Sequence, residues 1–320
     1  MNTPRDSSQE GKARTVCIVG ASGWLGRKIA DALDARGAQL VLALRGGRDH
    51  PGAPRLAGLV GRGARIVAAD VTRPETLGAA VEGVDVVVSA VQGGRDVVVE
   101  GQLALAKAAF DAGVTRMLPS DYCVDHRQVD RTQNIFLGLR READEAIGGA
   151  GMPQTNMLCG AFLDLLALSL HEDPFFGLVD WERWQVRFWG DADRSYDFTL
   201  TDDVADATAE VALDPHAEEG AFNVVGTRAS PRELASLVGR LAGREVGLHR
   251  LGDLQELHAE IRRRQDIAPS DPTQWGGLQF HALMASGACG VGPSQHGRYG
   301  LEPTSAEVFL TGVIDARRTT

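Results

Sequence analysis

Near the start of the chain, Gly20-Ala21-Ser22-Gly23-Trp24-Leu25-Gly26 forms a G-x-x-G-x-x-G string. It follows a short β-branched apolar run, Thr15 to Gly20 (TVCIVG). It also opens a stretch in which Trp24, Leu25, Ile29, Ala30 and Leu33 recur at helical spacing before Gly37. A strand that runs through glycines into a helix presents backbone N–H groups at the helix N-terminus, where a phosphate can approach without a Cβ in the way. Gly20 serves the tight turn, Gly23 the close approach and Gly26 the packing of helix on strand, with Ser22, Trp24 and Leu25 as flanking contact positions. The chemistry indicated is dinucleotide binding.

The end of the second strand selects the dinucleotide. Gln39 to Leu44 (QLVLAL) runs into Arg45, and the nearest carboxylate, Asp49, lies four residues beyond. An arginine there accommodates a ribose 2′-phosphate, whereas a carboxylate would take the ribose hydroxyls. A charge-assisted bond of this kind contributes about 1.5–3 kcal/mol, so NADP(H) is expected over NAD(H). Ligands gather at the carboxyl ends of parallel strands. Asp70 and Val71 are therefore expected near the adenine, and Ala90, Val91 and Gln92 beside the nicotinamide ribose.

The elements that position these residues alternate. Strands are expected at 15–20, 39–44, 64–71, 85–91, 116–122 and 155–160, with helices at 24–33, 74–81, 97–112 and 136–147 between them. Near-continuous apolar strands joined by helices make an α/β, doubly wound parallel sheet covered on both faces. Beyond Gly160 the pattern turns irregular. Residues 162–189 hold three of the five tryptophans and the adjacent Phe175 and Phe176, which suits the core of a smaller lobe or the lining of an aromatic pocket. Thr201 reads as the N-cap of a helix to Leu213, and Ala221 to Val225 as a strand. Ser230-Pro231-Arg232-Glu233 reads as a capping box opening a helix to about Leu241. Leu251 to Arg264 reads as an amphipathic helix, and 265–300, rich in Gly, Pro, Gln and Ser, as a mobile lid or loop. The expected organisation is a flexible leader (1–13), a nucleotide-binding domain (14–160) and a substrate lobe (161–320) whose elements at about 201–228 return to the first domain.

Composition excludes several classes. The 320 residues carry a formal charge of -10, with no Lys/Arg block, so direct nucleic-acid binding is not expected. Cys17, Cys123, Cys159 and Cys289 form no C-x-x-C, and Cys17 and Cys159 sit in apolar runs as core residues. No apolar run is long enough to span a bilayer, and the leader lacks a signal-peptide core. A reduced, cytoplasmic, soluble protein without a metal site is the expectation. His249, His258 and His281 are dispersed and read as surface or core histidines. H-E-x-x-H, a Walker lysine and G-x-S-x-G are all absent.

Several segments resemble the NmrA-like, isoflavone reductase-like branch of the short-chain dehydrogenase/reductases. They are Asp85-Val86-Val87-Val88-Ser89-Ala90, Met117-Leu118-Pro119-Ser120-Asp121-Tyr122, Gly151-Met152-Pro153-Gln154-Thr155, Asp203-Val204-Ala205, Arg298-Tyr299 and Pro303-Thr304-Ser305. The resemblance spans nearly the whole chain. It implies a Rossmann-type fold, NADPH, and a small, often aromatic substrate held by the smaller lobe. It also implies a catalytic lysine, with or without a tyrosine, on the helix after the fifth strand. Counting back from Gly151, those positions fall on Arg140 and Phe136, so this chain has Phe-x-x-x-Arg. Arginine stays protonated and cannot be a general base, although it can bind a ribose or polarise a carbonyl.

Replacement proton donors are Tyr122 and, through a water, His126, with Ser120 as a hydrogen-bond partner for a substrate oxygen. Three functions follow as expectations. The first is an NADPH-dependent reductase of a small aromatic or polyketide-like molecule. The second is an NADP(H)-sensing regulator without catalysis, and the third a non-redox isomerase or cyclase that retains the cofactor. The expected partner is a small-molecule substrate, with no membrane contact and a homo-oligomer left open.

Overall fold

The computed structural model describes residues 13–168, 177–288 and 290–318. The rest of the expected leader, Phe175, Phe176 and Cys289 lie outside the described residues. The first elements are β1 (Thr15–Val19), α1 (Trp24–Ala35), β2 (Gln39–Leu44), α2 (Ala57–Gly61), β3 (Arg65–Ala68), α3 (Gly78–Val81), β4 (Val86–Ser89), α4 (Gln102–Asp111) and β5 (Arg116–Leu118). The five strands form one parallel sheet in the order β3-β2-β1-β4-β5. That order reverses direction between β1 and β4, the doubly wound arrangement whose ligand crevice lies at the reversal.

The chain continues with α5 (Ile135–Gly149), β6 (Thr155–Leu158), β7 (Ala161–Phe162), β8 (Val179–Asp180), β9 (Gln185–Trp189), β10 (Tyr196–Thr199) and α6 (Thr201–Leu213). It closes with β11 (Gly220–Asn223), β12 (Thr227–Ala229), α7 (Pro231–Ala242), β13 (Gly247–Gly252), α8 (Leu254–Ile267), α9 (Gly276–Ser286) and α10 (Ala306–Arg318). Two compact units divide the chain. Among the described residues, one holds 13–120, 146–155 and 208–219; the other holds 121–145, 156–168, 177–207, 220–288 and 290–318.

The first unit is held by a core of small and β-branched side chains, among them Cys17, Val41, Val87, Leu105 and Met117. Burial pushes the Cys17 thiol up to about 12, so it is an inert core residue. The buried Arg116 of β5 donates to the carbonyls of Val211, Asp214 and Ala217. A cation there satisfies the acceptors that the end of α6 leaves open.

The structure corrects four expectations. First, 155–160 is not a sixth strand of the main sheet. β6 pairs with β11 and meets β5 only at the isolated Met117–Gln154 bridge, because Pro119 has no N–H with which to extend β5. Second, Thr201 is the first helical residue rather than the cap, and its N–H and Oγ1 both donate to Asp164. Third, Leu251 and Gly252 belong to β13, and the helix starts after Asp253, which closes a capping box with Glu256. Fourth, 265–300 is not an open loop, because α9 lies within it and eight of its residues, Leu278 and His281 among them, are buried. The glycines there serve packing. A Cβ on Gly276 would lie 2.2 Å from the Phe136 ring, and Gln279 Oε1 accepts the Ile135 N–H at 2.9 Å. The capping box at Ser230 forms as expected.

Candidate active site

In the first unit the glycine turn sits at the reversal of the sheet. Gly20 has φ +91, and a Cβ there would lie 2.5 Å from the Ala90 carbonyl oxygen at the end of β4. A Cβ on Gly26 would lie 2.2 Å from the Gly20 carbonyl oxygen. No other residue fits either place without moving backbone. Gly23 flanks α1 in extended conformation, and no side chain caps the helix. The first turn also holds no acidic residue, so the positive end of the helix is left for an external anion.

A cavity of about 460 Å³ opens on this turn, lined by Ser22, Gly23, Trp24, Arg27, Lys28 and Asp31 together with Arg55. Trp24 is half exposed, and Leu25 continues the helix beside it. The cationic lining of Arg27, Lys28 and Arg55 was missed from sequence. The link between turn and distant loop is packing: a Cβ on Gly52 would lie 2.5 Å from Ser22 Cβ, and Arg55 follows in the same loop.

Arg45 is exposed at the end of β2. Its charge reaches Asp70, whose carboxyl lies below the usual range. Burial opposes the charge, and the Thr72 hydrogen bonds with Arg45 and Arg73 outweigh it. Val71 is buried, Ala90 and Val91 are half-buried, and Gln92 is exposed. Ser120 is committed to the scaffold: its Oγ donates to the Val91 carbonyl at 2.7 Å and its N–H to Gln102 Oε1 at 2.8 Å.

In the second unit the residues after Ser120 form a buried polar cluster. Asp121 accepts from Asn156 Nδ2 at 2.8 Å, and Tyr122 is 8 % exposed. His126 is fully buried, its Nε2 2.6 Å from Asp144 Oδ2 and 3.9 Å from Asp121 Oδ1, with Cys123 Sγ 3.9 Å from Nδ1. Burial disfavours the imidazolium. The Asp144 hydrogen bond and the Asp121 charge outweigh it and hold His126 up to about 11. The Asp144 carboxyl is pushed above the carboxylate range by burial and by Asp121. His126 is thus the cation that lets two carboxylates share a dry site, and it locks the segment that carries Tyr122. Asp144 lies on α5, eighteen residues from His126, a pairing no local pattern reveals.

Asn134 caps α5, accepting the N–H groups of Phe136 and Leu137. Phe136 stacks on Phe280 with ring centroids 6.2 Å apart, and Arg140 donates to the Phe136 carbonyl at 3.2 Å. The Phe-x-x-x-Arg pair therefore presents an aromatic face and a fixed cation, and no titratable donor. A separate cavity of about 820 Å³ in this unit is lined by Trp189, Leu178, Leu278, His281, Arg187 and Arg264, among others. No helix among the described residues is long and apolar enough to cross a membrane.

The chain is similar to proteins of known activity and structure. The chain is 29% identical over 254 residues to pinoresinol reductase 1 of Arabidopsis thaliana, covering 75% of this chain and 78% of that one. Its fold matches the solved AtPrR2 with NADP+ and (+)pinoresinol at TM-score 0.79 and 24% identity, over 95% of this chain and 99% of the other. It also matches the leucoanthocyanidin reductase–NADPH binary complex from Vitis vinifera at TM-score 0.78 and 21% identity, over 94% and 99%. The sheet is the Rossmann-type doubly wound sheet, the model of the NmrA-like family matches residues 12–268, and the chain belongs to that family.

Proposed function

We propose that the protein is an NADPH-dependent reductase that reduces a small aromatic acceptor. The observation that carries the reading is the glycine turn at the sheet reversal, where Gly20 and Gly26 leave room for no Cβ and the bare N-terminus of α1 faces a cation-lined cavity. Arg45 and Arg55 are the candidate partners for a ribose 2′-phosphate. NADPH, when bound, supplies the hydride. Its relatives named as pinoresinol reductases and the neighbour holding NADP+ and (+)pinoresinol support the same reading.

In this reading Tyr122 holds the proton that the acceptor takes up, because Phe136 has no hydroxyl. His126, its Nε2 engaged by Asp144, positions the Tyr122 segment. Arg140 supplies fixed positive charge.

A second reading, a cofactor sensor without turnover, is favoured by the stacked Phe136 and carbonyl-bound Arg140. Calorimetric titration with NADPH and with NADH, followed by NADPH oxidation in the presence of aromatic acceptors, decides between them. Tight NADPH binding, weak NADH binding and turnover support the reductase. Binding with no oxidation by any acceptor supports the sensor, and no binding of either nucleotide removes both.

A further inference from the structure

The cavity of about 820 Å³ in the second unit is walled by β9 on one side and by α8 and α9 on the others. Along that strand Val186 and Phe188 turn into the core, while Gln185, Arg187 and Trp189 alternate onto the other face. Arg187 and Trp189 therefore stand two residues apart on one wall. The Trp189 ring lies over Gly252, where a Cβ would come within 2.7 Å of it. Leu178, Leu251 and Leu278 complete the apolar lining.

The charges around the cavity are unequally occupied. Glu260 is held by two arginines, with Arg263 Nε at 2.7 Å and Arg264 Nε at 2.6 Å. Glu256 accepts the Asp253 N–H in the capping box of α8. Arg187 differs: its backbone N–H donates to the Leu178 carbonyl at 2.7 Å, and among the described residues no carboxylate lies within ion-pair distance of its guanidinium. A half-buried guanidinium beside a tryptophan ring is a recognition group for a planar anion, because its fork matches a carboxylate bidentately.

We propose that this cavity binds a planar aromatic acid, its ring against Trp189 and the leucines and its carboxylate paired with Arg187. The inference stands on this cavity's own lining, which holds none of Tyr122, Phe136 and Arg140. The carboxylate is a recognition handle and takes no part in hydride acceptance.

The test uses 4-hydroxycinnamic acid and its methyl ester as probes, titrated by calorimetry against the full chain with NADPH binding measured in parallel. A charge-assisted pair at a partly exposed arginine gives the acid about a tenfold advantage over the ester. Arg187→Gln is expected to remove that advantage while ester affinity stays unchanged. Arg187→Lys should retain part of it, since a point charge replaces the fork. Equal binding of acid and ester, persistence of the preference in Arg187→Gln, or no binding of either probe overturns the proposal. Failure of NADPH to bind counts instead against the reductase reading, and leaves the comparison of acid with ester intact.

Discussion

Replacing Gly26 by alanine puts the smallest side chain into the place where α1 meets the glycine turn. The new methyl carbon would lie 2.2 Å from the Gly20 carbonyl oxygen and 2.8 Å from its carbon, about 1.2 Å short of ordinary contact with the oxygen. Both atoms are backbone, so no side chain can swing away, and relief requires the N-terminus of α1 to lift from β1. Overpacking of this kind costs about 1–3 kcal/mol, or roughly 2–4 °C in Tm for each kcal/mol in a chain of comparable size. The larger effect falls on the cofactor. Moving α1 by about 1 Å removes at least one amide-to-phosphate hydrogen bond, which weakens NADPH binding roughly ten- to a hundredfold.

Gly78→Ala is the matched control. Nothing lies within 4 Å of its Cβ position, so it should leave NADPH affinity unchanged and add about 0.4–1 kcal/mol of stability. Thermal unfolding and NADPH titration of both variants check this. A Gly26→Ala protein that melts and binds NADPH as wild type does would refute the assignment of the turn.

Three further outcomes are expected. Arg45→Gln should narrow the preference for NADPH over NADH by about tenfold or more, the value of one arginine–phosphate bond; unchanged discrimination would move that role to Arg55. Tyr122→Phe should abolish turnover while leaving NADPH affinity intact, and a variant with wild-type rates would reject Tyr122 as donor. His126→Gln leaves Asp121 and Asp144 without their shared cation and should cost about 3–5 kcal/mol near neutrality. The His126 pKa is raised on folding, so its contribution is fully present below its unfolded value near 6.5 and fades as pH rises through about 11. His126 and Asp144 are both raised on folding, so thermal unfolding of the wild type should show stability falling from pH 6 to 10, and a pH-independent stability would sink the electrostatic account.

Features whose cause is local could be read from the chain alone. β2 occupies the expected residues, and the glycine turn, α1 and the Ser230 capping box lie where spacing and cap chemistry place them. Features whose cause is distant could not. Gly276 looks like a loop residue until Phe136, 140 positions earlier, is seen to need the space. His126 looks like a loop donor until Asp144 and Asp121 close on it. Arg55, in the loop that packs on Ser22, and Arg187, beside Trp189, acquire their surroundings only from the fold.

The triple grip of Arg116 on the carbonyls of Val211, Asp214 and Ala217 also governs how the chain can be made. Domains that fold during synthesis do so as their residues emerge, yet the nucleotide-binding sheet here depends on acceptors about a hundred positions downstream of its fifth strand. A fragment ended at 160 would lack these acceptors and the end of α6 that carries them, and would leave the Arg116 guanidinium without those bonds. Such a fragment should emerge insoluble, and one ended after Glu219 retains all three acceptors. Ribosomal folding of this half therefore waits for much of the other half to be made, and a nascent chain stalled between these points is a natural client for chaperones.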